Sequence, residues 1–348
     1  MRIGFFCCTF GKSGGMETYA LNLIQAAIAL GHKPIVFCMK SDPELKLREQ
    51  CEVVEYKIPS FIPNKLGVYL FHRWLISESA KHNLDLSIGC CTGGLPTVIA
   101  CGGTKVGYLK AMGKIALPLD QLIMRIEESA YSAAKIIVAH SKMMASELEK
   151  YYKINNSKIH VIYPPEKTSQ SLERYDKNKL REKYGIKEEE TVFLFPSSSH
   201  KRKGLDIIRD YFTTNKTHDL LLVAGKPAKE EGNIRSLGFC ENMQELYQLA
   251  DYTVLASRYE PLGLVAAESI LNGTPVIISK NSGCCEALSE KAIRTFDPFK
   301  KHDFEDLVAK VKVTPPAITP PFSRYISPEF FETPCKHLEK IITLTQGE

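Results

Sequence analysis

Apolar residues in this chain fall into short runs of four to seven, separated by longer stretches where they recur every three or four positions. A short apolar run bounded by polar residues or glycine predicts a strand buried on both faces, and the longer spacing predicts an amphipathic helix. Strands are predicted at residues 2–8, 33–38, 52–58, 85–90, 97–101, 136–139 and 159–163, with helices over 17–30, 68–81, 118–133 and 142–152. Such alternation implies a parallel sheet covered by helices, with ligands taken at the carboxyl ends of the strands.

Pro164-Pro165 opens a polar stretch running to Lys177, which reads as a linker. The pattern then starts again, with strands at 191–195, 220–224, 252–256, 276–278 and 293–296 and helices over 204–214, 242–250, 264–272 and 303–312. A proline-rich run from Pro315 to Pro321 is expected to break away from this second half. A last helix, about 328–344, is expected to cross back onto the first. The predicted organisation is two α/β domains, residues 1–164 and 165–327, facing across a cleft, with the tail at 328–348 joined to the first.

A length of 348 residues fits two domains, and 44% hydrophobic with 24% charged residues is ordinary for a globular protein. No apolar run approaches the roughly 18 residues needed to span a membrane. The start, Met1 to Cys8, is interrupted too soon by polar residues for a secretory signal, so a cytoplasmic location is expected. The eleven cysteines include no CxxC pair; several are vicinal (Cys7-Cys8, Cys90-Cys91, Cys284-Cys285) and lie in or beside apolar strands. They read as buried thiols in a reducing compartment. The net charge of +5 is uneven, with 19 Lys/Arg against 13 Asp/Glu in residues 1–164 and 26 against 27 in the rest. That surplus favours an anionic partner for the first half, such as a phospholipid surface or a phosphorylated glycan, and a plain solvated face accounts for it equally well.

Four stretches carry candidate chemistry. Glu260-Pro-Leu-Gly-Leu-Val-Ala-Ala-Glu268 follows an apolar strand, and Gly263 opens a helix whose first N–H groups suit a phosphate. Two carboxylates on either side of a phosphate site suit hydroxyls, of a sugar at one end and a ribose at the other. Phe195 to Asp206 sets His200-Lys-Arg-Lys203 directly after a strand, where Arg202 and Lys203 can converge on a diphosphate. Thr9 to Glu17 places Gly14-Gly15 at a helix start; it has neither the Walker spacing nor three dinucleotide-type glycines, and still lets a phosphate or sugar approach the backbone. A fourth stretch, Gly238-Phe239-Cys240, can frame a nucleobase, with Asn242 and Glu245 capping the helix that follows.

Taken in order, Gly14-Gly15-Met-Glu17, Arg202-Lys203-Gly204 and the Glu-x7-Glu pair Glu260/Glu268 resemble the retaining glycosyltransferases of family 4, most closely their lipopolysaccharide core glucosyltransferase branch. The resemblance covers nearly the whole chain and implies the GT-B fold of two Rossmann-like domains. It implies a nucleotide-diphosphate sugar as donor and a hydroxyl of a glycan or glycolipid as acceptor, with no metal or other cofactor and no nucleic acid. Arg202, Lys203 and Glu260 would carry catalysis. Gly14, Gly15, Phe239, Leu262, Gly263, Leu264, Val265 and Glu268 would join those three in donor binding, and Glu17 and Lys105 would face the acceptor.

Two departures stand out. Many members carry an Arg near the place of Pro196 or Ser197, and a His after the fourth or fifth strand, where Lys105 stands here. Transfer with retention is expected, the leaving phosphate helping to deprotonate the acceptor. The basic, apolar stretches 65–75 and 108–114 point to contact with an anionic membrane, on the cytoplasmic face of the inner membrane. A GT-B-like epimerase or phosphorylase, and a non-catalytic nucleotide-sugar-binding protein, are the alternatives.

Overall fold

The computed structural model describes residues 1–12, 14–59, 61–165, 173–214 and 217–347. The chain divides into two compact units, Met1–Glu166 with Glu329–Glu348, and Lys167–Pro328.

In unit 1 the described residues form a seven-stranded parallel sheet built from β1 (Arg2–Phe10), β2 (Lys33–Ser41), β3 (Glu52–Glu55), β4 (Leu86–Gly89), β5 (Val98–Cys101), β6 (Ile136–Ala139) and β7 (Ile159–Val161). Its order, β3-β2-β1-β4-β5-β6-β7, reverses direction between β1 and β4. Helices α1 (Gly15–Ala29), α2 (Asn64–Ser79), α3 (Lys105–Ala111), α4 (Pro118–Ala133) and α5 (Lys142–Tyr152) connect the strands. Both faces of the sheet are covered. Ile3, Phe5 and Val36 pack toward α1, whereas Phe6, Ile35 and Phe37 pack with Phe71 and Leu75 of α2. This two-sided burial is why the strands read as unbroken apolar runs.

Unit 2 repeats the plan with six parallel strands among its described residues. They are β8 (Thr191–Ser197), β9 (Asp219–Gly225), β10 (Ile234–Gly238), β11 (Tyr252–Leu255), β12 (Val276–Ser279) and β13 (Ile293–Phe296), in the order β10-β9-β8-β11-β12-β13. Its helices are α6 (Lys177–Lys183), α7 (His200–Lys203), α8 (Leu205–Thr214), α9 (Met243–Leu249), α10 (Leu264–Leu271) and α11 (Asp303–Val313).

Three expectations need correction. The linker expected from Pro164 to Lys177 falls largely on 166–172, outside the described residues, and its end is structured. The Tyr175 N–H donates to Gln248 at 3.0 Å, and Asp176 caps α6 through two backbone N–H groups. The proline run does not break away, since unit 2 extends to Pro328. Tyr325 and Ile326 are buried there, Ser289 N–H donates to the Tyr325 carbonyl at 2.8 Å, and Leu288 bridges Ile326. The last helix begins later than 328. Pro328–Phe331 is a 3₁₀ turn, and α12 (Pro334–Gln346) is capped by Thr333, whose hydroxyl accepts from the Lys336 N–H. Leu338 and Ile341 of α12 are fully buried in the core of unit 1 against α1.

Candidate active site

The second sheet reverses its order between β8 and β11, and the chains leaving those strands bring the predicted cations and carboxylate together. Gly204 makes the approach possible. Its φ is +79°, and a Cβ there would stand 2.0 Å from the Ala256 carbonyl oxygen. The Arg258 N–H then donates to the Arg202 carbonyl at 2.9 Å. The Arg258 guanidinium grips both oxygens of Asp206 at 2.7 and 2.8 Å, fastening the start of α8 to the same loop. His200 ties in a third segment. Its Nε2–H donates to the Pro227 carbonyl at 3.0 Å, which leaves Nδ1 to accept from the Ser197 hydroxyl at 2.9 Å.

Lys203 Nζ donates to Glu260 Oε2 at 2.5 Å, Arg202 Nη1 to the same oxygen at 3.1 Å, and the Ser257 hydroxyl at 3.2 Å. Arg202 also donates to the Tyr259 carbonyl at 3.0 Å. Lys203 and Glu260 are each 8% exposed. Burial alone would push the Glu260 carboxyl upward; Lys203 and Arg202 outweigh it and hold the group below the ordinary glutamate value. Two cations on one carboxylate leave one net positive charge at the carboxyl edge of the sheet.

Gly263, at φ +96°, turns the chain into α10, and no side chain caps that helix. A Cβ there would meet Glu260 Cγ at 3.1 Å and Cys284 Sγ at 3.3 Å. Leu262 is buried beside this turn. The first N–H groups of a helix have no intrahelical partner and carry positive potential, so Leu264 and Val265 present an anion-seeking end next to Arg202 and Lys203. Glu268 opens the second turn of α10. Burial pushes its carboxyl up against the opposing hydrogen bond from the Tyr247 hydroxyl at 2.6 Å. Tyr247 went unnoticed in the sequence because an apolar-spaced helix gives no sign of which hydroxyl turns inward. Phe239 is 83% exposed just past β10, and Asn242 caps α9 at the Glu245 N–H.

In unit 1, Gly14 and Gly15 are exposed at the start of α1. Gly14 is extended and caps the helix without a side chain, and the Glu17 carboxylate folds back over it, Oε2 lying 2.7 Å from where a Cβ would be. Lys105 does not end a strand. β5 stops at Cys101, and Lys105 is the first residue of α3, its Nζ 2.8 Å from Asp120, which also takes Lys65 at 2.7 Å. Hydrogen bonds from Lys105 and Lys65 keep the Asp120 carboxyl well below the carboxylate range.

The residue directly after β5 is Gly102, and Met16 fills the space a side chain there would need, its Sδ 2.2 Å from the Cβ position. His140, one residue past β6, stands behind it with Nδ1 3.4 Å from that position. His140 packs edge-on against Tyr19 at 4.6 Å, and the Tyr19 hydroxyl meets His337 Nε2 of α12 at 2.9 Å. Burial depresses His140 to about 3 and His337 to about 4. This cluster was missed in the sequence, where a histidine ending the apolar run 136–139 was its one local sign.

Comparison with known proteins speaks to the family and the fold. A model described as "Glycosyltransferase Family 4" matches residues 13–169, and one described as "Glycosyl transferases group 1" matches residues 176–315. A "Probable transglycosylase" of Burkholderia thailandensis is 34% identical over 301 residues, covering 86% of this chain and 83% of its own. The lipopolysaccharide glucosyltransferase WaaG of Escherichia coli is 21% identical over 346 residues, 91% of each chain. Among solved structures, WaaG superposes with a TM-score of 0.79 at 16% identity, over 99% of this chain and 100% of its own. HepE of Anabaena, in complex with UDP-glucose, gives 0.72 at 18% identity over 99% and 100%. With two parallel-sheet units, a Lys–Arg–Glu cluster at the second sheet's reversal point and these matches, the chain belongs to glycosyltransferase family 4 and has the GT-B fold.

Proposed function

We propose that the protein transfers a hexose from a nucleotide-diphosphate sugar to a hydroxyl of a glycan or glycolipid, with retention at the anomeric carbon, in lipopolysaccharide core or other cell-surface glycan synthesis. The observation that carries this reading is the convergence of Arg202 and Lys203 on Glu260 beside the uncapped start of α10. A diphosphate carries more negative charge than one carboxylate, so on donor binding both cations and the Leu264 and Val265 N–H groups turn to the phosphates. Glu260 is then released to accept from sugar hydroxyls, and Glu268 with Tyr247 to hold the ribose.

Charge that develops on the leaving phosphate meets cations already in place, which lowers the barrier without reorganisation. The departing phosphate oxygen takes the acceptor proton, so no protein carboxylate acts as nucleophile. In unit 1, Gly14 and Gly15 give a phosphate backbone access, and Glu17 meets the acceptor. UDP-glucose is the first donor to try, since HepE binds it. The likeness to WaaG supports a lipopolysaccharide-type acceptor.

The same unit supports contact with anionic lipid. Phe61, Ile115 and Leu117 are 84%, 89% and 60% exposed near the N-terminal ends of α2 and α4, with Lys65, Lys110 and Lys114 on the neighbouring elements. No helix among the described residues is long and apolar enough to cross a membrane.

The test is a thermal-shift screen against UDP-, GDP- and ADP-sugars, followed by product analysis with the donor that stabilises the protein. Transfer of the sugar with its anomeric configuration kept is the expected result. An epimerised nucleotide sugar, a sugar phosphate, or stabilisation without turnover would replace this reading with one of its alternatives.

A further inference from the structure

Cys8 near the end of β1 and Cys91 just past β4 flank the point where the first sheet reverses its order. Phe6 pairs with Gly89 in the parallel ladder, and the Cys90 N–H donates to the Phe6 carbonyl at 2.8 Å. Cys8, still within β1, and Cys91, at the bend after β4, each stand two residues beyond that pair. Neighbouring strands lie about 4.7–4.9 Å apart, inside the roughly 4.4–6.8 Å Cα separation that a disulfide spans.

Alternation along β1 sends Cys7 and Cys8 to opposite faces. Cys7 lies with Cys38 and Cys90 in the core under α1, none of them more than 4% exposed. Cys91 packs on the α2 face beside Phe6 and Leu75, and Cys8 and Cys91 are both only half-buried. The neighbouring Cys91 lowers the Cys8 thiol, outweighing burial and the Glu17 carboxylate, and Cys8 together with burial raises that of Cys91. A thiol lowered in this way, with a second thiol on the adjoining strand, is the arrangement that reversible oxidation needs.

We propose that Cys8 and Cys91 form a reversible disulfide when the protein meets a hydroperoxide. The Cys8 thiolate attacks one peroxide oxygen. An S–O bond forms as the O–O bond breaks, the sulfur gives up two electrons, and the other oxygen leaves and is protonated to water or an alcohol. Cys91 sulfur then attacks Cys8 sulfur, the S–S bond forms as the S–O bond breaks, and hydroxide departs with the Cys91 proton as water. A dithiol reductant returns both thiols. The bond ties the chain entering the Gly14-Gly15 loop to the chain leaving β4. Given the proposed role of that loop, which this consequence rests on, the oxidised form transfers sugar more slowly.

The folded wild-type protein is treated with a slight excess of hydrogen peroxide, alkylated, digested and mapped by mass spectrometry. A peptide pair joining Cys8 to Cys91, two hydrogens lighter than the reduced peptides and lost on reduction with dithiothreitol, is the expected result, with Cys7, Cys38 and Cys90 still reduced. The pair is absent from Cys8→Ser and Cys91→Ser. Reduced Cys8 and Cys91 after treatment, or Cys8 as a sulfinic acid with no cross-link, overturns the proposal. Since the decisive reading is on wild-type protein, poor folding of either variant leaves it standing. A cross-linked protein with undiminished transfer supports the disulfide and counts separately against the loop's place in the proposed reaction.

Discussion

Replacing Lys203 by methionine keeps the length of the side chain and removes its charge, leaving the Glu260 carboxylate with Arg202 at 3.1 Å and the Ser257 hydroxyl at 3.2 Å. Removing one partner of a buried ion pair costs roughly 3–5 kcal/mol. Because Arg202 and Ser257 remain, the lower end applies, about 3 kcal/mol, or a fall of about 6–12 °C in the melting temperature of unit 2. Adding Glu260→Gln removes the stranded charge, so the double variant should recover most of that loss, the coupling that adjacent groups show in double-mutant cycles. Transfer should not recover. Loss of a preorganised charge at the leaving group costs about 10²–10³ in kcat, and nothing in the double variant replaces it. Melting by circular dichroism and nucleoside-diphosphate release, measured on all four proteins, decide the matter. An unchanged melting temperature for Lys203→Met refutes the buried ion pair as a structural element. Transfer that returns together with stability in the double variant shows that Lys203 only neutralises Glu260.

Gly204→Ala forces a positive φ on an L side chain and drives its Cβ into the Ala256 carbonyl; a loss of more than about 3 kcal/mol in urea unfolding is expected, and a loss below about 1 refutes the close approach. His140 and His337 titrate lower folded than unfolded, at about 3 and about 4, so the unfolded chain takes up protons first. The stability of unit 1 should therefore be intact above pH ~6.5 and fall as pH drops toward about 4. His337→Gln, facing Tyr19 with Lys340 nearby, should flatten that slope. Glu127 shows the opposite sign. Burial raises its carboxyl to about 7 despite the bond from Tyr152, so its own contribution to stability is lost as pH rises from ~4.5 to ~7, by about 3 kcal/mol, against the larger gain from the two histidines. Glu127→Gln, compared with wild type by denaturant melts across that range, should steepen the rise of stability with pH.

The elements read correctly from sequence were those with a clear apolar run or helical spacing, including the half-exposed β3 and β7. Apolar strands such as Tyr252–Leu255 and the long helices α1, α4 and α5 announce themselves by period alone. Three others, α3, α6 and β10, did not. α3 carries Gly107, which sits 2.2 Å from the Glu147 carboxylate at its Cβ position, so the packing of α5 selects glycine there against helical preference. α6 is seven residues with one buried apolar side chain, and β10 is an edge strand with Arg235 and Ser236 in its middle. Neither has a local period to read. The tail was placed by its prolines, yet Tyr325 and Ile326 decide its path by burying against unit 2.

By itself the sequence determined the two rounds of strand and helix, the glycine turns at Gly14 and Gly263, and the residue types at the strand ends, because periodicity, turn chemistry and helix capping act over a few neighbouring residues. Only the tertiary structure decided which charges share a carboxylate, which cysteines lie on adjoining strands and which histidines are buried between α12 and the first sheet. Lys203 and Glu260 are separated by 57 positions, Cys8 and Cys91 by more, and Tyr19 and His337 by 318. Their pairing depends on parallel strands set side by side and on a glycine at 204 thin enough to pass a carbonyl, and neither distance is written in any local run of residues.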